Sequence, residues 1–194
     1  TINKDSKWIT NIRSRKVTHL LRSRYDCILS TSSIINKDNS LLNCRIEGLN
    51  KPQSDLIIID RNLKLKKKLK LFDLINQRKT YIFTSSKNKK KISYFKKMKI
   101  KIIQFDYLYQ KNDFENLFKT IFLLGKRRIF IEAGVIFLNK LIDFELINNL
   151  FIFKSNIILK QRGIGKFKSP KKIRKSNLVN VNLDNDNLYK VRIR

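Results

Sequence analysis

Glu132, Ala133 and Gly134 are the residues whose types and spacing most clearly suggest chemistry. They follow a short apolar segment, 128–131, which predicts a buried strand. They precede apolar residues at the spacing of a helix, namely Ile136, Phe137, Leu138, Leu141 and Ile142. A strand, a turn of small residues and a helix form half of a βαβ unit, in which the strand tip and the helix start favour a phosphorylated ligand. The pattern favours a nucleotide-dependent enzyme, although an ordinary strand–turn–helix corner with a solvated glutamate would produce it too.

Metal-dependent and nucleophilic chemistry find little support in the sequence. His19 is the only histidine, and it stands beside leucines of a predicted helix, which is typical of a structural residue. Cys27 and Cys44 lack the Cys-x-x-Cys spacing, so neither a zinc site nor a disulfide is expected. The Gly-Ile-Gly-Lys segment at 163–166 lacks the spacing and the following Ser or Thr of a P-loop. What remains is chemistry that a cofactor performs and the protein positions.

The elements that would position Glu132 alternate between helices and strands. Thr10 is predicted to cap a helix at 11–24, whose inner face is formed by Ile12, Val17, Leu20 and Leu21. Gly125 is predicted to end a second helix at 114–124. Residues 32–48 predict a long polar loop of the kind that often carries function. Short strands are predicted at 25–31, 56–60, 80–84, 100–105, 128–131 and 150–153.

After the glycines at 163 and 165, the segments 177–183 and 188–193 alternate apolar and polar residues, and 184–187 can form the turn between them. Strands that alternate with helices and end in a hairpin predict an α/β fold. Its sheet would be mixed but mostly parallel, covered by helices on both faces, with an antiparallel hairpin at the C-terminal end.

Length and composition restrict the class of protein. The chain has 194 residues, of which 42% are hydrophobic, so it can bury a core as one domain. Each apolar run is shorter than the roughly 18 residues that cross a membrane. The first residues are polar, unlike a signal peptide, and two cysteines suit a reducing compartment. We therefore expect a cytoplasmic protein without a membrane partner.

The net charge of +29 suggests a nucleic-acid partner. The composition offers a second explanation, because alanine occurs once, proline twice and glycine five times, while Lys, Asn and Ile are abundant. A strongly A/T-biased genome would give this balance to any protein. The basic segments 64–70 and 87–101 alternate lysine with apolar residues, so a solvated face over a buried face accounts for them. We expect no nucleic-acid partner, and a basic nucleic-acid-binding protein remains the alternative from a different class.

Several motifs in register resemble one enzyme family. Ser6-Lys7-Trp8-Ile9-Thr10 resembles S-x-W-I-T, and Ile131-Glu132-Ala133-Gly134 resembles V-E-[AG]-G. Between them stand Arg22, Cys27-Ile28-Leu29, Asp38-Asn39 for an Asp-Asp or Asp-Asn pair, Leu42-Asn43-Cys44-Arg45 for Leu-Thr-x-Arg, and Ile58-Ile59-Asp60 for V-[VI]-[LI]-D. Over residues 6–159 the chain is similar to the reductase domain of the riboflavin-biosynthesis deaminase/reductase.

The resemblance implies a dihydrofolate-reductase-like fold, NADPH as cofactor and a homodimer. It implies reduction of the ribosyl group of 5-amino-6-(5-phosphoribosylamino)uracil, which gives 5-amino-6-(5-phosphoribitylamino)uracil. A related reductase that acts on the pyrimidine before deamination remains an alternative. The resemblance also implies that residues 1–194 form a single reductase domain. The family's first reductase strand, with its S-L-D-G-K segment, and the upstream zinc deaminase domain are expected to be absent from these residues.

The same resemblance implies the residues of the site, none of which would bind metal. Glu132 would be catalytic and would bind the substrate together with Ser6, Arg22, Leu42 and Arg45. The cofactor would lie along Trp8, Ile34, Asp38, Arg61, Gly134, Val135, Ile136, Phe137, Leu138, Asn139 and Lys140. The guanidinium groups of Arg22 and Arg45 would suit a sugar-phosphate dianion. Ile34 replaces a family threonine, and Arg61 stands where serine is common, so we expect Arg61 to contact the 2′-phosphate of NADPH.

Overall fold

The computed structural model describes residues 9–49, 52–157 and 176–194. Within them the chain forms two compact units. The larger unit comprises residues 19–134, and the smaller unit comprises residues 1–18 and 135–194. Ser6 and Trp8, for which we predicted ligand contacts, lie outside the described residues, as does the segment with the glycines at 163 and 165.

A five-stranded sheet forms the centre of the larger unit. Its strands are β1 (Cys27–Thr31), β2 (Asp55–Ile59), β3 (Thr80–Thr84), β4 (Lys101–Gln104) and β5 (Ile129–Ile131). The spatial order is β4-β3-β2-β1-β5, and every neighbouring pair is parallel. The strands lie within about two residues of their predicted positions. Because the sheet is parallel throughout, all five strands end at the same edge, which we call the carboxyl edge.

Both faces of this sheet are buried. Ile28, Ile58 and Ile82 pack on one face in a single hydrophobic cluster with residues that follow the strands, Ile35 and Phe95 among them. The alternate residues of the same strands, including Leu29, Ile57 and Phe83, are buried as well, and they point to the opposite face. This explains why the three central strands are almost uninterrupted apolar sequences. β5 is only half-buried, contrary to our prediction, because it lies at the end of the sheet.

Three α-helices of the described residues lie wholly within the larger unit, and only some of them were predicted from the sequence. α4 (Lys111–Leu123) was predicted, and Gly125 follows it with a left-handed φ of 80°. α3 (Lys89–Lys97) begins at Asn88, whose side chain accepts a hydrogen bond from the Lys91 amide. α2 (Ser32–Asp38) occupies part of the predicted polar loop. That prediction is wrong for 32–38, because seven mostly polar residues are too few to show helical periodicity.

α1 (Ile12–Ser23) forms where it was predicted, but two details of the prediction are wrong. Asn11, not Thr10, caps the helix, since its Oδ1 accepts from the Ser14 amide at 2.9 Å. Ile12 and Leu20 are 63% and 42% exposed. The predicted inner face combined two sides of the helix: the more buried side carries Ser14, Val17 and Leu21, which are three or four residues apart.

The smaller unit contains α5 (Val135–Asp143) and an antiparallel sheet in the order β6-β8-β7, with β6 at Asn149–Lys154, β7 at Ser176–Leu178 and β8 at Asn187–Arg192. β7 and β8 confirm the predicted hairpin, but β7 ends at Leu178, so the prediction of a strand as far as residue 183 is wrong. In the turn before β8, Asp186 accepts hydrogen bonds from the Ser14 hydroxyl and the Asn11 amide. Burial opposes ionisation of Asp186, yet these bonds hold its pKa below the usual value. On α5, Leu141 and Ile142 are buried.

Ile136 is 85% exposed, so its place in the predicted apolar stripe of α5 is wrong. The residues four and seven positions further on are Lys140 and Asp143, which give that side of the helix a polar character. The predicted fold class is confirmed, with a mostly parallel sheet, helices and a C-terminal antiparallel hairpin, although the strands divide between two sheets. None of the helices described here is both long and apolar enough to cross a bilayer.

Candidate active site

Glu132 follows β5 at the carboxyl edge and is held by Arg22 of α1. The Arg22 Nε and Nη2 atoms donate to the two carboxylate oxygens at 2.6 and 2.8 Å. The two side chains are only 12% and 22% exposed, so water screens the pair weakly. A bidentate fork of this kind fixes both the position and the rotation of the carboxylate.

A third Arg22 contact ties the pair to the loop at 41–45. Nη1 donates to the Asn43 carbonyl oxygen at 2.9 Å. The same oxygen lies 2.9 Å from His19 Nδ1, and Nδ1 lies 3.1 Å from the Arg45 amide nitrogen. Since Nδ1 is either a donor or an acceptor, it makes one of these two bonds at a time. Burial and the charge of Arg22 hold the pKa of His19 below its usual value, against the opposing effects of the Asn43 carbonyl and Glu132.

Side chains from elsewhere in the larger unit hold the rest of this loop. Arg78 donates to the carbonyl oxygens of Leu41 and Leu42. Gln53 makes two bonds with Cys44, accepting from its amide at 2.9 Å and donating to its carbonyl at 3.0 Å. Leu42 adopts a left-handed φ of 47°, which is costly for a residue with a side chain. The loop therefore keeps its shape through side-chain bonds to consecutive peptide groups.

Arg78 is itself buried, with 6% exposure. Burial lowers its pKa to about 10, so its guanidinium stays charged at neutral pH. Burying a cation is costly unless its donors are used, and here two of its nitrogens bind the carbonyls of the loop. Neither Arg78 nor Gln53 was predicted as a site residue, because each acts on backbone atoms far away in the sequence and no local pattern marks it.

At the end of β2, Asp60 organises the next part of the carboxyl edge. Its carboxylate accepts from the Ser32 hydroxyl at 2.8 Å and from the amides of Lys64 and Leu65. Arg61, the next residue, lies with its guanidinium carbon 4.0 Å from the centre of the Tyr109 ring. The Arg61 carbonyl accepts from the Ser85 amide at 3.1 Å. Ser85 Oγ is buried and has no hydrogen-bond partner among the residues described.

Gly134 and Ile34 approach each other closely. A Cβ atom on Gly134 would lie 3.0 Å from Ile34 Cδ1 and 3.4 Å from its Cγ1, distances that real side chains rarely show. Ile34 belongs to α2, directly after β1, and Gly134 follows β5, which pairs with β1. The two strands thus bring these two predicted cofactor residues together, and the lack of a side chain at Gly134 lets Ile34 pack against its backbone.

In the larger unit, the side chains of the other predicted residues make no bond to Glu132 or Arg22 within the part of the chain that the structure describes. The Leu42 side chain belongs to the hydrophobic core, with 4% exposure, so only its backbone is near Arg78. Arg45 is exposed, and its amide, not its side chain, contacts His19. Asp38 is exposed at the end of α2. Val135, Ile136, Phe137, Leu138, Asn139 and Lys140 lie on α5 in the smaller unit.

A carboxylate fixed at the carboxyl edge of a parallel sheet, with a bare glycine behind it, is the arrangement of a nucleotide-dependent α/β enzyme. The chain matches the family model of the RibD C-terminal domain over residues 1–186, and it belongs to that family. The motifs identified in the sequence therefore gave the right family.

Two relatives illustrate the relationship. The 5-amino-6-(5-phosphoribosylamino)uracil reductase of Buchnera aphidicola subsp. Acyrthosiphon pisum is 30% identical, over 81% of this chain and 78% of that protein. The riboflavin biosynthesis protein RibD of Aquifex aeolicus is 26% identical, over 95% of this chain and 51% of that protein. The family is thus one of reductases of riboflavin biosynthesis.

Among solved structures, RibD of Acinetobacter baumannii has a TM-score of 0.77 at 15% identity, over 97% of this chain and 52% of that chain. The likeness confirms the dihydrofolate-reductase-like fold. The chain spans about half the length of the Aquifex and Acinetobacter proteins.

Proposed function

We propose that this chain is an NADPH-dependent reductase that converts 5-amino-6-(5-phosphoribosylamino)uracil to 5-amino-6-(5-phosphoribitylamino)uracil. The observation that carries the proposal is the Glu132 carboxylate, held on both oxygens by Arg22 at the carboxyl edge of the sheet. The name of the Buchnera relative supports the choice of substrate. A single reductase domain, acting as a homodimer in the cytoplasm, forms part of the same proposal.

The residues of the larger unit fit a dinucleotide in two respects. Gly134 lets Ile34 pack directly against the turn after β5, since a Cβ there would lie 3.0 Å from Ile34 Cδ1, and a turn without a side chain is one that a pyrophosphate can approach closely from its other side. Ser85 Oγ is a buried hydroxyl without a partner, one residue beyond β3, and a ribose or phosphate oxygen would satisfy it. When bound, NADPH would supply the hydride, and the chain's own residues would position the sugar that receives it.

Glu132 would bind the sugar. Each carboxylate oxygen has two lone pairs, and Arg22 uses one on each oxygen. One lone pair on each oxygen stays available for hydroxyl groups of the ribosyl chain or for a proton that moves as the sugar opens. Because Arg22 keeps the carboxylate from rotating, the two acceptors have fixed directions, and such positioning supplies much of the rate of a hydride transfer.

The phosphate of the substrate would then bind to Arg45 rather than to a pair of arginines. We expected Arg22 and Arg45 to bind it together, but the Arg22 fork is engaged by Glu132 and Asn43. The Arg45 side chain is exposed, while its backbone is held by His19. An exposed cation on a backbone that is held by a hydrogen bond suits the capture of a dianion from solution.

NADPH rather than NADH would be the cofactor because of Arg61. Its guanidinium stacks on Tyr109 at the carboxyl edge, and stacking on one face leaves the N–H groups at the rim of the plane available. Those groups can form charge-assisted bonds with a 2′-phosphate, which NADH lacks. The buried Ser85 hydroxyl would lie on the same side of the cofactor, since the Ser85 amide bonds to the Arg61 carbonyl.

The decisive experiment follows the absorbance of NADPH in the presence of the phosphoribosylamino-uracil. We expect oxidation with that substrate, and slower oxidation with the corresponding pyrimidine before deamination. Glu132→Gln should keep the increase in melting temperature that NADPH causes, since Glu132 does not bind the cofactor in this proposal, while turnover collapses. A wild-type protein that binds NADPH but oxidises it with neither pyrimidine would contradict the proposal, and full turnover in Glu132→Gln would contradict the role of the carboxylate.

A further inference from the structure

The larger unit carries a concave surface whose lining residues have no role in the proposed reaction. It is a cavity of about 810 Å³ between α3 and the ends of β3 and β4. Four lysines line it, together with Ser93 and Gln104, and we call it the lysine groove. The lysines are Lys87, Lys89, Lys96 and Lys97. No carboxylate belongs to the lining.

Helical spacing places these residues on one side of α3. Ser93 lies four residues after Lys89, and Lys96 and Lys97 lie three and four residues after Ser93. This spacing aligns the four side chains along the helix. The opposite side of α3 carries Phe95, which is buried in the core of the larger unit. At a rise of about 1.5 Å per residue, the row from Lys89 to Lys97 extends about 12 Å.

The four ammonium groups are free to bind an anion. All four lysines are exposed, and none of them takes part in an ion pair within the parts of the chain that the structure describes. Neighbouring lysines, by contrast, are engaged: Lys91 donates to the Leu63 carbonyl at 2.7 Å. Like charges that surround a concave surface reinforce one another's potential and concentrate anions there.

Contrary to our expectation from the composition, we propose that the lysine groove binds the sugar-phosphate backbone of single-stranded RNA. A row of about 12 Å matches several consecutive phosphates, and the lysine ammonium, as a point charge, binds a phosphate in many orientations. Gln104 donates through Nε2 to the Ser86 carbonyl at 3.2 Å, so its Oε1 is oriented and can accept a ribose 2′-hydroxyl. Ser93 adds a hydroxyl between the lysines.

Other anionic partners fit less well. A membrane surface would require large exposed apolar side chains among the lysines, whereas the lining has one apolar residue, the half-buried Ile92. An acidic peptide is best recognised by guanidinium forks, and the lining contains no arginine. An A/T-biased genome would account for the number of lysines in the chain, but it would not determine that four of them line one concave surface.

The test compares two variants of equal charge. One replaces the four groove lysines by glutamine, and the control replaces Lys16, Lys119, Lys154 and Lys190, which are also exposed but lie on other elements. Binding of a fluorescent oligouridylate is measured by anisotropy between about 50 and about 200 mM salt. Each lost phosphate contact on a single strand reduces the slope of log K against log salt by about 0.7. We expect the groove variant to reduce this slope by about 2 to 3 and to bind the oligonucleotide at least about tenfold more weakly than the wild type. The control variant should show less than half of either effect.

Several results would overturn the proposal. Equal losses in both variants would show that only net charge matters, and no binding of the oligonucleotide by the wild type would remove the site altogether. Polyglutamate binding as tightly as RNA of equal charge would identify an acidic peptide site instead. Displacement of RNA by saturating NADPH would assign the lysines to the cofactor. We expect NADPH to leave RNA binding unchanged and both variants to retain the melting temperature of the wild type, because all eight side chains are exposed.

Discussion

Arg22→Lys tests whether the fork on Glu132 holds the site together. The arginine makes three hydrogen bonds, two to the carboxylate and one to the Asn43 carbonyl. An ammonium group keeps the charge but cannot span both carboxylate oxygens, so we expect about two of the three bonds to be lost. A bond to a charged group contributes about 1.5 to 3 kcal/mol. Because the pair is partly exposed, solvent weakens these bonds, and we expect the free energy of unfolding to fall by about 3 kcal/mol. For a chain of this size that corresponds to a melting temperature lower by about 6 to 12 °C.

The consequence for turnover should be larger than the consequence for binding. A displacement of a catalytic group by about 1 Å can cost about 100-fold in rate, so kcat should fall by roughly that factor while the affinity for NADPH stays constant. Arg24→Lys is the matched control, since Arg24 is an exposed arginine just beyond the end of the same helix, and its effect should stay within about 0.5 kcal/mol. Urea unfolding and NADPH oxidation measure the two quantities. If Arg22→Lys behaved like Arg24→Lys in both, the reasoning about the fork would be refuted.

Three further predictions address the cofactor side and the histidine. Gly134→Ala should fold, because its Cβ meets only the flexible end of Ile34 at 3.0 Å. It should weaken NADPH binding about tenfold, because the new methyl group displaces the Ile34 side chain. Adding Ile34→Val, which removes Cδ1, should restore the affinity for NADPH as measured by isothermal titration. Arg61→Ala should lower the affinity for NADPH by about 10- to 100-fold, which is the contribution of one charge-assisted hydrogen bond, and should leave the affinity for NADH unchanged. An unaltered ratio of the two affinities would refute the 2′-phosphate contact. The pKa of His19 is lowered from 6.5 in the folded protein, so its contribution to stability is complete above pH 6.5 and is lost as the pH falls from there through the folded-state pKa. Thermal unfolding at decreasing pH should therefore lose less stability in His19→Gln than in the wild type, and parallel curves would contradict this.

The sheet of the larger unit was predictable because its strands carry a strong local signal. Segments such as Leu56 to Ile59 are apolar throughout, as burial on both faces requires, and each lies between polar residues that mark its ends. α2 was missed because seven residues contain less than two turns of pattern. Ile12 and Ile136 were placed on buried faces because hydrophobicity shows that a side chain can be buried, but not which side of a helix meets the core. Only the tertiary partners, such as Asp186 for Ser14, decide that.

The residues of the site also divide into those that a local sequence pattern identifies and those whose partners only the fold determines. Glu132 and Gly134 were identified because a strand, a small-residue turn and a helix are adjacent in sequence. The contact of Glu132 with Arg22 joins residues 110 positions apart. The expectation that Arg22 would bind phosphate came from the family resemblance and from the chemistry of guanidinium. Sequence shows which groups a chain possesses, whereas the choice between a carboxylate and a phosphate as partner depends on which of them the fold brings within reach.

The 41–45 loop shows why that choice matters for the reaction. Arg78, Arg22, His19 and Gln53 all bind its peptide groups, so side chains from distant parts of the larger unit shape the loop. In the proposed reaction, the hydrogen-bonded backbone of this loop would keep Glu132 and Asn43 in position through Arg22. The exposed side chain of Arg45 at the end of the loop would bind the phosphate. Substrate affinity and turnover should therefore respond to different residues of one loop, because the bonds that orient the carboxylate are made before any substrate arrives.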